Sequence, residues 1–221
     1  MSFAFFDLDD TLVDTASALR SWCAEFVQDY GLGTEAAVAE LVRRRVREVG
    51  TWREFIARLP DWYGIEVDEH ELYERIVLDY PAKFTLDPAV ADGLVRLRRD
   101  GWPLGIVTNG ATRVQQAKIE RVGLRGYVDM VLDSEAAGYA KPDVRIFEIA
   151  AQKLGVELGP DGWMVGDMLD KDVAGGLAAG LQTIWLPHGR PLPAAGPKPA
   201  HVSAGMVAAL ALLAENAEHT A

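Results

Sequence analysis

Three carboxylates, Asp7, Asp9 and Asp10, follow directly on the apolar run Phe3-Ala4-Phe5-Phe6. The run reads as a buried strand. Like charges gathered at the end of a buried strand are costly unless a cation or hydrogen bonds compensate them. At the carboxyl edge of a parallel sheet, where open α/β sheets place their ligands, such a cluster suits a metal ion or phosphate transfer. A solvated acidic turn is the plain alternative. A calcium loop of the helix–loop–helix kind is excluded: counting from Asp7, Leu12 stands where Gly is needed and Ala18 where Glu is needed.

Three downstream segments repeat the theme. Leu104-Gly105-Ile106-Val107-Thr108-Asn109-Gly110 is an apolar strand ending in a hydroxyl, an amide and a glycine, before a helical stretch from Thr112. A hydroxyl and free N–H groups at a helix start suit phosphate oxygens, although Thr-Asn-Gly is also an ordinary turn. In Lys141-Pro142-Asp143, Pro fits the first turn of a helix and Lys141 could meet an anion. A solvated lysine is the plain reading there. Met164-Val165-Gly166-Asp167 runs into Met168-Leu169-Asp170-Lys171-Asp172 and then into small residues from Val173 to Gly180.

Taken together, the four segments resemble the signature motifs of the haloacid dehalogenase superfamily: Asp-x-Asp-x-Thr, then Thr, then Lys, then Gly-Asp-x-x-x-x-Asp. Two positions depart from the commonest pattern. Asp10 stands where Gly is frequent and Met168 where Ser or Thr is frequent. The resemblance implies a phosphatase that uses Mg²⁺. In it Asp7 is the nucleophile that becomes an aspartyl-phosphate, and Asp9 is the acid and then the base. A crowded acidic site could bring the Asp9 pKa near working pH. Mg²⁺ is held by the Asp7 side chain, the Asp9 backbone carbonyl and Asp167, with Asp172 supporting it directly or through water, and Asp170 outside the set. Thr108 and the N–H of Asn109 hold phosphoryl oxygens, and Lys141 offsets their charge. An acid at Asp9 favours phosphate monoester hydrolysis over dehalogenation, because a halide needs no proton. A phosphomutase, or a non-catalytic binding protein on the same fold, remains open. Within the phosphatases the motifs look most like N-acylneuraminate phosphatases and pyrimidine nucleotidases.

The elements that must position these residues alternate. Strands are expected over 3–8, 104–108, 128–132, 163–166 and 182–186, with helices over 89–99, 112–122, 143–154 and 171–179. That alternation is the pattern of an α/β fold with a doubly wound parallel sheet. Between Thr15 and Phe84 only helical patterns occur. Leu19, Trp22, Cys23, Phe26, Val27 and Tyr30 share one face, and Gly31 and Gly33 end that helix. Val38, Leu41, Val42, Val46 and Val49 mark a second, Thr51-Trp52-Arg53-Glu54 a capping box for a third, and Asp68 to Glu71 the acidic start of a fourth. The expected organisation is a core of residues 1–14 and 85–221 carrying a helical insert, 15–84. By resemblance the insert is a helical cap that moves as a lid. Its basic run Arg43-Arg44-Arg45-Val46-Arg47, through Trp52, is the expected source of specificity, with Arg45 a substrate-binding candidate. A Pro-rich loop spans Pro187 to Pro199, Ser203 is expected to cap a last amphipathic helix, and the tail from Glu215 is expected to fray.

Composition sets outer bounds. The chain has 221 residues, a net charge of −11 and a single cysteine, Cys23. Such acidity argues against nucleic acid or an anionic membrane as partner, and the small phosphorylated metabolite that the resemblance implies needs local positive charge or a metal. One thiol excludes an internal disulfide. No apolar stretch approaches the roughly 18 residues of a membrane span, and no signal peptide is visible, so the expected location is the cytoplasm. Oligomeric state is not readable.

Overall fold

The computed structural model describes residues 2–218. Phe3–Phe6 forms the first strand, β1, buried along its whole length. Four helices follow: α1 (Thr15–Asp29), α2 (Glu35–Arg47), α3 (Trp52–Tyr63) and α4 (Glu69–Asp79). The chain then alternates through α5 (Pro88–Arg99), β2 (Leu104–Thr108), α6 (Thr112–Arg121), β3 (Met130–Asp133), α7 (Ser134–Ala137), α8 (Val144–Leu154), β4 (Gly162–Gly166), α9 (Ala174–Ala178), β5 (Gln182–Trp185), β6 (His201–Val202) and α10 (Met206–Glu218). Among the described residues the strands form one sheet in the order β3-β2-β1-β4-β5-β6, with parallel pairings throughout. The strand order reverses on either side of β1. The crevice there opens at the ends of β1, β2 and β4, where an open α/β sheet binds ligands.

Side chains on β1 alternate between two cores, as strand periodicity demands. Phe3 and Phe5 pack with Val107, Met130, Phe147 and Met164 on one face. Ala4 and Phe6 face the other way, into a cluster that includes Leu94, Ile106, Val165 and Leu210. Each fully buried Phe contributes about 1.5–3 kcal/mol of transfer free energy. The second cluster continues into the helical insert through Trp22, Phe26, Trp52, Phe55 and Tyr80, so insert and sheet share one apolar layer.

Capping follows the sequence signals in the insert. Thr51 Oγ1 accepts from Glu54 N at 3.1 Å, and Glu54 reaches back to Gly50 N at 2.9 Å rather than to Thr51 N. Asp68 caps α4 through Glu71 N. Cys23 is buried in α1, and burial pushes its thiol up to about 12.

Several expectations are corrected. β1 stops at Phe6, because Leu8 O accepts from the N–H groups of Thr11, Leu12 and Val13 and curls the chain into a turn. The stretch expected as helix 171–179 is a π turn over Leu169–Val173 and a short α9. Pro142 lies before the helix rather than in its first turn, since Asp143 is the cap of α8 and accepts from Arg145 N. Ser203 does not cap α10; its hydroxyl donates to Gly205 O, and Gly205 O takes the first helical bond, from Ala209 N. Val46, expected on the apolar face of α2, is 65% exposed. Helix α10 runs to Glu218, and residues 219–221 of the tail expected to fray lie outside the described residues. Among the described residues no helix is long and apolar enough to cross a membrane.

Candidate active site

Asp7 leaves the end of β1 with its N–H bonded to Val165 O at 2.9 Å. Lys141 Nζ lies 2.7 Å from Asp7 Oδ1 and 2.7 Å from Asp172 Oδ1, with all three side chains buried. The first contact is a hydrogen bond; the second is an ion pair by charge and distance whose angle leaves Asp172 Oδ1 without an aligned donor. Asn109 fixes the Lys141 backbone on both sides: its Oδ1 accepts from Lys141 N at 2.8 Å and its Nδ2 donates to Lys141 O at 3.0 Å. Asp172 Oδ2 accepts from Met168 N at 2.9 Å. Gly166 makes room for this: a Cβ there would stand 2.3 Å from Asp172 Cγ. Gly175 likewise lets α9 close on Pro142, whose Cα would be 3.0 Å from an added Cβ.

Asp7, Asp167 and Asp172 each offer a carboxylate oxygen within 4.8 Å of the others. Three buried oxygen donors fit a hard divalent cation such as Mg²⁺. Their electrostatics agree. Burial pushes Asp7 up to about 7; Lys141 opposes this, and the Asp172 charge adds to it. Asp167 goes up to about 6, through burial and then the Asp172 charge, against Arg190. The cluster therefore holds more negative charge than Lys141 alone neutralises. Lys141 pairs with both Asp7 and Asp172, and Asp167 faces Arg190 instead. Asp170 is exposed and outside the group.

Asp9 points elsewhere. Its side chain receives Lys118 Nζ at 2.7 and 3.0 Å, Gln115 Nε2 at 3.0 Å and Thr15 Oγ1 at 2.8 Å. Burial pushes its pKa up, but the Lys118 charge and these bonds outweigh burial and hold it below the usual carboxylate range. That corrects the expectation of an Asp9 tuned toward working pH. The same Gln115 amide donates to Thr108 Oγ1 at 2.7 Å, linking the ends of β1 and β2. Gln115 and Lys118 were not singled out from the sequence. The available signal was their spacing, which puts both on the buried face of α6 beside Val114 and Ile119.

Asp10 shows why glycine is common at its position: its φ is +54°, a left-handed conformation that Asp tolerates better than most residues. Its Oδ1 then accepts from Thr15 N and Ala16 N at 2.9 and 3.2 Å, anchoring the start of α1. His188 Nε2 bonds Asp10 O at 2.6 Å. From the same loop Arg190 Nη2 reaches the Asp167 carbonyl and lies 3.0 Å from Asp167 Oδ2. Neither loop residue was foreseen.

Asp7, Asp9, Thr108, Asn109, Lys141, Asp167 and Asp172 line one small cavity of about 180 Å³. Asp9, Asn109 and Lys171 also border a larger cavity of about 770 Å³ between the insert and the sheet, and Arg45 lines it. The rest of the basic run divides. Arg43 and Arg44 pair with Glu40 and Glu48 along α2, so they do not join Arg45.

A buried carboxylate paired with a lysine and a second acidic strand end meet at one edge of the parallel sheet. The family model of the haloacid dehalogenase-like hydrolases matches residues 1–180, and the chain belongs to that family. It is 41% identical over 193 residues to the pyrimidine 5′-nucleotidase YjjG of Escherichia coli, covering 82% of this chain and 84% of that protein. It is 32% identical over 206 residues to the N-acylneuraminate-9-phosphatase of Rattus norvegicus, covering 82% and 81%. The crystal structure of a phosphatase of the superfamily from Thermococcus onnurineus superposes with a TM-score of 0.70 at 25% identity, covering 96% of this chain and 98% of that one. The expected family, fold class and hydrolase activity are thus borne out.

Proposed function

We propose that the protein is a Mg²⁺-dependent phosphatase of small phosphate monoesters, working in the cytoplasm, with residues 15–84 as a lid over the site. The observation that supports this most is the pairing of Asp7 with Lys141 at the end of the central strand, with Asp9 on the wall of the same cavity. The relatives' names point to a nucleotide and to an acylated sugar acid, so they support phosphate esters as a class and do not choose among them.

Asp7 attacks the phosphorus through a carboxylate oxygen, the bond from phosphorus to the ester oxygen breaks, and a proton from Asp9 leaves with the alcohol. The site must supply that proton against the low Asp9 pKa; an incoming phosphate dianion beside Asp9 raises it. Asp9, now a carboxylate, takes a proton from water as the water attacks phosphorus, and Asp7 is released. Lys141 offsets charge on Asp7, and Thr108 with the Asn109 N–H holds phosphoryl oxygens. Mg²⁺, which the carboxylates of Asp7 and Asp167 and the Asp9 carbonyl would hold, supplies neutralisation of charge on the transferring group.

Phosphate release from a panel of phosphorylated metabolites, with Mg²⁺ and with EDTA, tests this. Activity should need the metal and fall by about a thousandfold or more in Asp7→Asn, since an amide is a poor nucleophile. Turnover that survives Asp7→Asn in purified protein overturns the reading.

A further inference from the structure

A chain with net charge −11 would be expected to neutralise its buried cations with its own carboxylates. It does so at Lys118 and Lys141, and on the outer face of α2 at Arg43 and Arg44. Arg45 is the half-buried exception on that helix, whereas Arg47 is exposed. Among the described residues Arg45 forms no ion pair; its Nη1 comes only within 3.5 Å of Val49 O, and its Nε is buried without a hydrogen-bond partner. The guanidinium lies over the Trp52 ring, 4.5 Å from its centroid. The ring covers one face, and Arg45 is among the residues that line the large cavity. Burial also works against its charge. A guanidinium held flat, desolvated and short of acceptors is costly unless an anion completes it.

The surroundings agree. Arg53, stacked on Tyr73 at 4.2 Å, lines the same cavity, as does Lys171. The carboxylates on that wall are already engaged: Asp9 by Lys118, and Glu135 by Thr112 N. The large cavity and the small one share Asp9, Asn109 and Lys171 in their walls. A ligand with its phosphoryl group at Asp7 therefore extends toward Arg45.

We propose that the cavity wall formed by Arg45, Trp52 and Arg53 is a second anion subsite, so that the preferred substrates are phosphate monoesters bearing a further acidic group, carboxylate or phosphate, at the far end. This rests on the phosphatase reading and narrows its substrate class. An ester whose tail is neutral leaves Arg45 uncompensated; an acidic tail gains a charge-assisted, forked contact.

The test compares three-carbon esters of similar size: glycerol 3-phosphate with a neutral tail, 3-phosphoglycerate with a carboxylate, and a bisphosphate. The wild type should favour one or both acidic esters by about tenfold or more in kcat/KM, the usual scale for a charged hydrogen bond. Which acidic ester leads tells carboxylate from phosphate. Arg45→Gln should collapse that preference, chiefly through KM, and Arg45→Lys should keep part of it. Equal use of neutral and acidic esters, or a uniform loss across all three in Arg45→Gln, overturns the subsite. Calorimetric binding of the same esters to Asp7→Asn, with and without Arg45→Gln, reads the subsite without turnover. Acidic esters should bind Asp7→Asn more tightly than the neutral one, and lose that margin with Arg45→Gln; equal binding overturns the subsite. Asp7-independent turnover would sink the phosphatase reading alone.

Discussion

Lys118 Nζ lies 2.7 Å from one carboxylate oxygen of Asp9 and 3.0 Å from the other, with the lysine buried under the rings of Tyr80 and Phe84. The residue assigned to proton transfer is therefore kept as a carboxylate in the free protein. That state suits the base of the second step and opposes the acid of the first. The two demands reconcile only if bound phosphate changes the field at Asp9. On that reading Lys118 would set the pH range in which the cycle runs.

Lys118→Met keeps most of the buried side chain and removes its charge. Without the cation, burial dominates at Asp9 and its pKa rises. The acid limb of kcat should move up by about one pH unit or more. Rates from pH 5 to 9 for both proteins check this; an unshifted limb would mean that another group controls it.

The acidic cluster predicts linked proton and metal binding. Asp7 and Asp167 rise from 3.8 to about 7 and about 6 in the folded, metal-free protein. Folded protein then binds more protons than unfolded protein between those values, so their contribution to stability is present at low pH and is lost as pH rises through 6 to 7. The metal-free protein should melt higher near pH 5.5 than near pH 8, and saturating Mg²⁺ should shrink or reverse the difference. Binding near pH 6.5 should release protons, measured by calorimetry in buffers of different ionisation enthalpy. Asp167→Ala should weaken Mg²⁺ binding by about tenfold or more, with Asp170→Ala close to wild type; the opposite ranking would show that the ligands are misassigned.

Much of this site could be read from the chain because each motif sits where a strand meets a turn. Asp7, Thr108 and Asp167 end adjacent strands, and local periodicity locates strands well. What escaped depends on contacts distant in sequence. Lys118 reaches Asp9 across 109 residues and Arg190 reaches Asp167 across 23; neither carries a local signature. Strand β6 has two residues, His201 and Val202, too few for a period to register. In the basic run, four arginines look alike in sequence. Only packing separates Arg45, turned onto Trp52, from Arg43 and Arg44, tied to Glu40.

Gly166→Ala tests the support behind the lysine. An added Cβ would meet the Asp172 carboxylate at 2.3 Å, in a buried site with no flexible end to give way. Overpacking of this kind costs about 1–3 kcal/mol. Asp172 should also shift off Lys141 and Met168 N, so kcat should fall along with the melting temperature. Denaturant unfolding and steady-state kinetics measure both. Full activity at lowered stability would show that the Asp172 position is not critical.

The last prediction concerns the join between insert and sheet. Arg113 of α6 makes two bonds to Glu74 of α4, at 2.6 and 2.8 Å. The side chains are 57% and 35% exposed, so the pair is weak and is screened by salt. If residues 15–84 act as a lid, this pair adds only a weak latch to the apolar layer that joins insert and sheet. Losing the pair should shift an open–closed equilibrium by about fivefold at most. Arg113 also lines the large cavity, so two variants are needed to separate its roles. Glu74→Gln removes the latch and leaves the Arg113 charge facing the ligand; Arg113→Ala removes both. If the pair is a latch, both variants should raise amide exchange in α3 and α4 alike and change KM in the same direction. Should Glu74→Gln lower KM for acidic esters while Arg113→Ala raises it, Arg113 serves the ligand and the latch is incidental. Amide exchange by mass spectrometry, with KM at low and high salt, distinguishes the two. Unchanged exchange in both variants would show that this contact does not hold the insert in place.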